Sequence, residues 1–311
     1  MDYLGDDYTT YLDDESTSEL FNSLSGEYQG IGVSINNTDK SIVKVYNDTP
    51  ASRAGIQVGD IIVGFNDTDV TNMTATEVVN LIKKSTDTFI LKLKRGDGII
   101  SVSLKNETLI APNVDYYMVE GSTIGYLKIE TFSNTLATQV KNALSELENQ
   151  GMTSLIIDLR NNTGGYLTAA TDVASIFLNK GDKIFSLEYQ NELTDYKDET
   201  KESKDYSIAV LINGNSASAS EILAAALKES YGATTVGETS FGKGKVQQTM
   251  QLDDGSMVKY TSSYWLTPNG TCIDEIGIAP DYYVTNKEQT DEFGNTVVVD
   301  DQLNKAIEIL K

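Results

Sequence analysis

Histidine is absent from the 311 residues of this chain, and cysteine occurs once, at Cys272. The first absence excludes Ser-His-Asp and Cys-His nucleophilic arrangements and the commonest zinc sites. The second excludes a disulfide within the chain and any cysteine cluster on a metal. Positive charge is scarce: 24 Lys and Arg stand against 46 Asp and Glu, a formal net charge of −22. That balance opposes non-specific nucleic-acid binding and attraction to anionic membranes, and a solvated acidic surface accounts for it. No apolar run approaches the length of a membrane span. The opening MDYLGDDYTTYLDDE is acidic and polar, unlike a signal peptide. No D-x-D-x-D-G calcium loop occurs. The expectation is a chemistry that uses neither metal nor cofactor.

What is present reads as two modules, as the chain length suggests. Residues 1–27 are polar, with a short helical pattern around STSELFNSL. Residues 28–108 alternate like strands in GIGVSI, SIVKVY, GDIIVGFND, FILKLKR and IISVSL. Two helices interrupt them, one around TPASRAGI and one in ATEVVNLIKKS, whose Val78, Val79, Leu81 and Ile82 share a side. GDG between the last two strands signals a hairpin. Residues 109–311 change pattern. The strand TIGYLKI and the continuous apolar runs SLIIDLR and YSIAVLIN alternate with the helical segments LATQVKNALSELENQ, TAATDVASIFL and SEILAAALKES. Strands alternating with helices predict an α/β domain around a buried sheet. TTVGE, KVQQTMQL and MVKYTSSYWLT add strands, and DDQLNKAIEILK closes the chain as an amphipathic helix. Residues 188–206, EYQNELTDYKDETKESKDY, read as a charged, solvated excursion.

The stretch YQGIGVSI followed by TPASRAGIQVGDIIVGFND resembles a PDZ domain. In that resemblance Gly30, Ile31, Gly32 and Val33 form the carboxylate-binding loop. Glycines let successive backbone N–H groups converge on the terminal carboxylate of a peptide. The following strand then pairs with the peptide as an added strand, and Ile31, Val33 and Ile82 are expected to receive its last side chain. Arg53 is either solvated or turned toward that carboxylate.

The run NGNSASASEILAAAL poses the chemical question. Ser216, Ser218 and Ser220 alternate with alanines at a helix start. A serine hydroxyl needs a base, and without histidine a lysine must serve, which requires it to be neutral. Burial favours the neutral amine. ETSFGKGKVQQ offers Lys243 between two glycines, with Lys245 as its neighbour and competitor. A helix start also presents free N–H groups to a developing oxyanion, and the N–H of Ala219, beside Ser218, is a natural donor.

Taken together, SASASEILAAAL, SFGKGKVQ, DLRNNTGG and TPNG…IGIAPD resemble the carboxyl-terminal processing peptidases, tail-specific serine proteases with a Ser-Lys dyad. The resemblance runs from LGDDYTTYLD to the end. It implies Ser218 as nucleophile, Lys243 as base, and Gln247 as the residue that positions the lysine. It implies a second oxyanion donor from the glycine turn, assigned to Gly164 with Gly165 as the near alternative. The implied architecture is a crotonase/ClpP-like α/β protease core with an inserted PDZ-like domain. The implied partners are protein or peptide substrates with free C-termini, and a homo-oligomer is compatible with the resemblance. The implied setting is extracytoplasmic, the full-length protein being membrane-anchored or secreted.

Plainer readings stand beside these. Small residues at a helix start pack well, Ser220 can cap the helix with Glu221 favouring its dipole, Asp158 and Arg160 can form a buried pair, and Gln247 can be an ordinary strand residue. One rival function is an inactive PDZ-containing peptide-binding scaffold. The other is a crotonase-like acyl-CoA enzyme, which the PDZ-like insertion and the F-G-K-G lysine disfavour.

Overall fold

A computed structural model describes residues 5–201, 203–290 and 296–311. Leu4 of LGDDYTTYLD and Glu202 of the charged excursion lie outside the described residues. The chain divides into two compact units, residues 1–26 with 112–311 and residues 27–111.

The larger unit is built on a six-stranded sheet in the order Val114–Met118, Ile124–Ile129, Ser154–Asp158, Ser207–Ile212, Thr234–Gly237, Tyr282–Tyr283. The first strand is antiparallel to its neighbour and the other five run parallel. Alternate side chains leave opposite faces of a strand, and here both faces are covered. Leu127, Ile129, Leu155, Ile157, Val210 and Ile212 join helices Leu136–Asn149, Leu167–Ala174 and Ala219–Ala226 in one core. Tyr126, Ile156, Ala209 and Leu211 meet Ala306 of the closing helix Asp301–Leu310 in another. Burial on both sides explains why SLIID and IAVLI are unbroken apolar runs. Arg160, just past the Ser154–Asp158 strand, ties the closing helix down. Its guanidinium pairs with Asp158 and Asp300, each at 2.6 Å, and donates to Gln302 at 3.0 Å. Desolvation opposes its charge, but hydrogen bonds to Asp300 and Asp158 outweigh that and raise its pKa.

A second sheet of this unit contains Thr10–Leu12, Met257–Leu266, Lys183–Tyr189 and Glu192–Lys197 in that order, with Lys245–Gln251 also paired to Met257–Leu266. The expected excursion is therefore largely a hairpin. Gln190 and Asn191 both have positive φ, 50° and 65°, as a two-residue hairpin turn of primed type requires. All six residues of Glu192–Lys197 are exposed, so charge was no obstacle to pairing.

The smaller unit holds a four-stranded antiparallel sheet in the order Thr68–Asp69, Ile61–Phe65, Phe89–Arg95, Gly98–Leu104. Two strand pairs accompany it, Glu27–Gly30 with Glu107–Ile110 and Val33–Ile35 with Ile42–Val45. The first pair carries the unit to residue 111, beyond the boundary expected at 108, because residues 107–110 close a ladder with residues 27–30. The helices are Pro50–Arg53 and Ala75–Lys84, the second begun by a reciprocal Thr74–Glu77 cap. Asp60 is buried and accepts from Arg95 at 2.7 Å and from Gln57 N at 2.8 Å. Hydrogen bonds from Arg95 hold its carboxyl below the usual range.

Candidate active site

The strand Ser207–Ile212 delivers the chain to the three serines, and the helix Ala219–Ala226 carries it away. The structure gives each serine a different task. Ser216 is fully buried and its hydroxyl donates to Leu159 O at 2.8 Å. Ser220 is also fully buried and donates to Asn162 O at 2.8 Å, so it anchors the helix to the neighbouring loop and does not cap it. Ser218 is the N-cap, with φ 57° and ψ −115°. A positive φ at a non-glycine residue is strained, and here it turns the hydroxyl into a cavity of about 720 Å³ in the larger unit.

Lys243, Lys245, Gln247 and the glycine turn line the same cavity. Lys243 Nζ donates to Gln247 Oε1 at 3.0 Å and lies 4.7 Å from the centre of the Tyr8 ring. Gln247 Nε2 donates in turn to Tyr8 O at 2.5 Å. Gln247 is thus more than a strand residue: its amide joins the lysine to the N-terminal segment. Among the described residues no hydrogen bond links Lys243 Nζ to the Ser218 hydroxyl. Lys243 is pushed below the ordinary lysine pKa by burial first and by Lys259 second, against the carboxylates of Glu221 and Asp6. Lys245 goes the other way. Burial opposes its charge, but Asp274, 3.8 Å away, together with Tyr264, Asp6 and Glu275 outweighs this and raises its pKa.

The glycines around Lys243 answer to close approach. A Cβ on Gly242 would stand 2.9 Å from Gly277 N, and one on Gly244 2.7 Å from Asp274 N. The loop lies directly on the 274–277 backbone, and Trp265 Nε1 holds it by donating to Lys243 O at 2.8 Å.

One residue of the site escaped the reading of the sequence. Glu221 is fully buried, and its carboxylate accepts four hydrogen bonds. They come from Ser218 N at 2.8 Å, Lys243 N at 2.9 Å, Gly242 N at 2.7 Å and Ser240 Oγ at 2.6 Å. It locks the serine turn to the lysine loop. Its place as third residue of a helix gave a sufficient local reason for an acid, and its partners at 240–243 are visible only in three dimensions.

The glycine turn lies against the serine. A Cβ on Gly164, whose φ is 106°, would stand 3.0 Å from Ser218 Cβ and 3.1 Å from Ala219 N. The Gly164 N–H itself, however, donates to Asn162 Oδ1 at 2.9 Å. Asn162 is buried and donates to Ile129 O. The neighbouring Gly165 N–H has no protein acceptor among the described residues, and neither does Ala219 N–H at the helix start. Two free donors therefore flank Ser218, one of them the near alternative to the donor first expected.

In the smaller unit, the N–H groups of Ile31 and Gly32 find no protein acceptor among the described residues, and Gly32 has φ 82°. Gly30 ends the Glu27–Gly30 strand. Val33 begins a strand paired with Ile42–Val45 on one edge, the other edge having no partner among the described residues. Ile31 and Ile82 are buried in the core, with Val33 and Leu81 only partly covered. The apolar side chains open to a guest are thus Val33 and Leu81 more than Ile31 and Ile82. Arg53 is exposed and pairs with Glu107 at 2.5 Å.

An α/β unit that brings a serine, a half-buried lysine and a glycine turn to one cavity, and a separate β-rich unit with an open strand edge, define a two-unit α/β protein with a candidate serine–lysine site. Comparison with known proteins agrees. Residues 123–284 match peptidase family S41 and residues 41–102 match the PDZ domain. The chain is 38% identical over 282 residues to the carboxy-terminal processing protease CtpA of Bacillus subtilis (strain 168), covering 89% of this chain and 60% of that protein. It is 35% identical over 288 residues to a probable CtpA-like serine protease of Staphylococcus epidermidis, covering 91% of this chain and 58% of that one. Among solved structures it resembles the photosystem II D1 C-terminal processing protease, with a TM-score of 0.56, 27% identity, and coverage of 91% and 79% of the two chains. The chain belongs to peptidase family S41. It spans about 58–60% of the length of these two curated relatives.

Proposed function

We propose that this protein is a serine endopeptidase that captures the C-terminal segment of protein substrates in its PDZ domain and cuts peptide bonds with Ser218 and Lys243. The observation that carries this reading is the contrast among the serines: Ser216 and Ser220 are spent on buried hydrogen bonds, whereas Ser218 faces the cavity of a partly dehydrated lysine.

In the proposed reaction, neutral Lys243 Nζ swings from Gln247 Oε1 toward Ser218 and takes its hydroxyl proton as Oγ attacks the peptide carbonyl. Ala219 N–H and a donor of the Gly164–Gly165 turn, Gly165 N–H being the unengaged one, receive the oxyanion. The lysine ammonium then protonates the leaving amine, and water releases the acyl group from Ser218. Gln247 limits where the amine can go. The terminal carboxylate of a substrate would meet the N–H groups of Ile31 and Gly32, and its backbone would extend the Val33–Ile35 strand. Five parallel strands alternating with helices support a crotonase/ClpP-like core. Resemblance to the processing peptidases is what supports an extracytoplasmic setting and leaves a homo-oligomer open. No described helix is long and apolar enough to cross a membrane.

Mass spectrometry of an unstructured polypeptide with a free C-terminus, incubated with wild type and with Ser218→Ala, tests the reading. Fragments from the first and none from the second are expected; identical fragments from both would remove Ser218 from the mechanism, and none from either would favour the peptide-binding scaffold.

A further inference from the structure

Three lysines line the cavity that contains Ser218: Lys243, Lys245 and Lys259. Lys245 has an anionic partner, Asp274. Lys243 has a neutral one, the Gln247 amide. Lys259 lies on the Met257–Leu266 strand, opposite Thr10 on one side and Thr249 on the other. Neither threonine is charged, and the Lys259 side chain forms no ion pair or hydrogen bond among the described residues. In a chain with a net charge of −22, a half-buried ammonium without a carboxylate runs against the overall balance.

We propose that Lys259 acts through Lys243 as a fixed positive charge, favouring the neutral amine that must take the proton of Ser218. Two ammonium groups lining one cavity repel each other, and the one whose charge burial already disfavours gives up its proton first. The other groups facing Lys243 make the need plain. Tyr8 lays its ring over the amine, and a cation is attracted to that face. Glu221 binds the lysine's own N–H with a carboxylate. Asp6 is anionic; burial opposes its charge, but the hydrogen bond from the Thr9 hydroxyl helps to hold its carboxyl below the usual range. Lys245 is offset by Asp274. Ring and carboxylates all favour a charged Lys243, so burial alone has three opponents. Lys259 is the cation left to stand with it, and it is the second cause, after burial, of the depressed Lys243 pKa.

The inference rests on Lys243 being the base, and the experiment separates the two claims. Initial rates of β-casein cleavage are measured against pH for wild type, Lys259→Met, Lys259→Arg and Lys259→Glu, with Lys243→Ala and Ser218→Ala alongside. Wild-type activity should rise with pH as the Lys243 amine loses its proton. Lys259→Met should move that midpoint upward by about one pH unit, a roughly tenfold loss below the midpoint with the high-pH plateau retained. Lys259→Arg should keep the wild-type midpoint, and Lys259→Glu should move it further than Met. A Lys259→Met rate reduced equally at every pH, or an unmoved midpoint, would overturn the role of Lys259 alone. Cleavage surviving in Lys243→Ala would overturn the base assignment beneath it. If Lys259→Met does not fold, as judged by thermal melting, Lys259→Gln carries the same expected shift.

Discussion

The serine turn, residues 213–221, and the lysine loop, residues 240–247, solve the same problem by different physics. Each offers more than one candidate group. In the turn, selection is geometric: two hydroxyls are consumed by buried carbonyls, and the third sits at a strained φ that aims it outward. In the loop, selection is electrostatic. Lys243 and Lys245 are two residues apart in the sequence, yet burial lowers the pKa of one while a carboxylate raises that of the other. A hydroxyl becomes useful by being left unbonded, an amine by being left uncharged. Glu221 belongs to both regions, since its carboxylate binds Ser218 N and Lys243 N together.

The sharpest way to break the comparison is to exchange the members of each set. Ser218→Ala should abolish cleavage while leaving thermal stability near wild type, because its hydroxyl, unlike those of Ser216 and Ser220, donates to no buried carbonyl among the described residues. Ser220→Ala should do the reverse: cleavage persists, and chemical denaturation shows a loss of about 1 kcal/mol from the missing hydrogen bond to Asn162 O, which keeps the Ala217 N–H. A Ser218→Ala variant that melts far below wild type would mean that the turn, too, depends on that hydroxyl structurally.

Glu221→Gln cuts across both regions. A carboxamide can accept at only one end, so its NH₂ must face one of the N–H donors now bound to the carboxylate. Stability should fall by about 2 kcal/mol, and kcat by about 10- to 100-fold as the serine and lysine segments drift apart. The charge removed is one that favours protonated Lys243. The pH midpoint of the residual activity should therefore move down, opposite in sign to Lys259→Met. An upward shift would show that loop displacement, which lets water reach the amine, outweighs the lost anion.

How much of this could be read from the chain follows from how local each cause is. The buried strands were plain because double-sided burial writes itself as an unbroken apolar run, as in SLIID. The hairpin at 183–197 was not, because every residue of its outer strand is exposed and its turn uses Gln190 and Asn191 in place of glycine. At the site, the lysine flanked by glycines was legible as a tight, dry setting, but the choice between Lys243 and Lys245 came from family spacing. Asp274 and Lys259, which decide the charges, lie 31 and 16 residues from Lys243 in sequence and declare nothing locally. The preference for Gly164 over Gly165 likewise lacked the buried Asn162 side chain that occupies the Gly164 N–H.

The smallest expected effect is the most discriminating for the lysine loop. Lys245 lies in the same cavity as Lys243 and has an aromatic ring, Tyr8, within 5.5 Å of its amine. By position alone it could serve as the base. Its partner Asp274 argues otherwise, because an amine held charged cannot accept a proton from serine near neutral pH. Lys245→Met should thus leave kcat within about threefold of wild type. Asp274→Asn should be informative in the opposite direction. It releases Lys245 from its anion and adds an uncompensated cation to the cavity, so Lys243 should become easier to deprotonate and the activity midpoint should shift to lower pH. Steady-state rates across pH for the two variants test both statements. A Lys245→Met variant with the inactivity of Lys243→Ala would transfer the base role to Lys245 and leave Lys243 as its support.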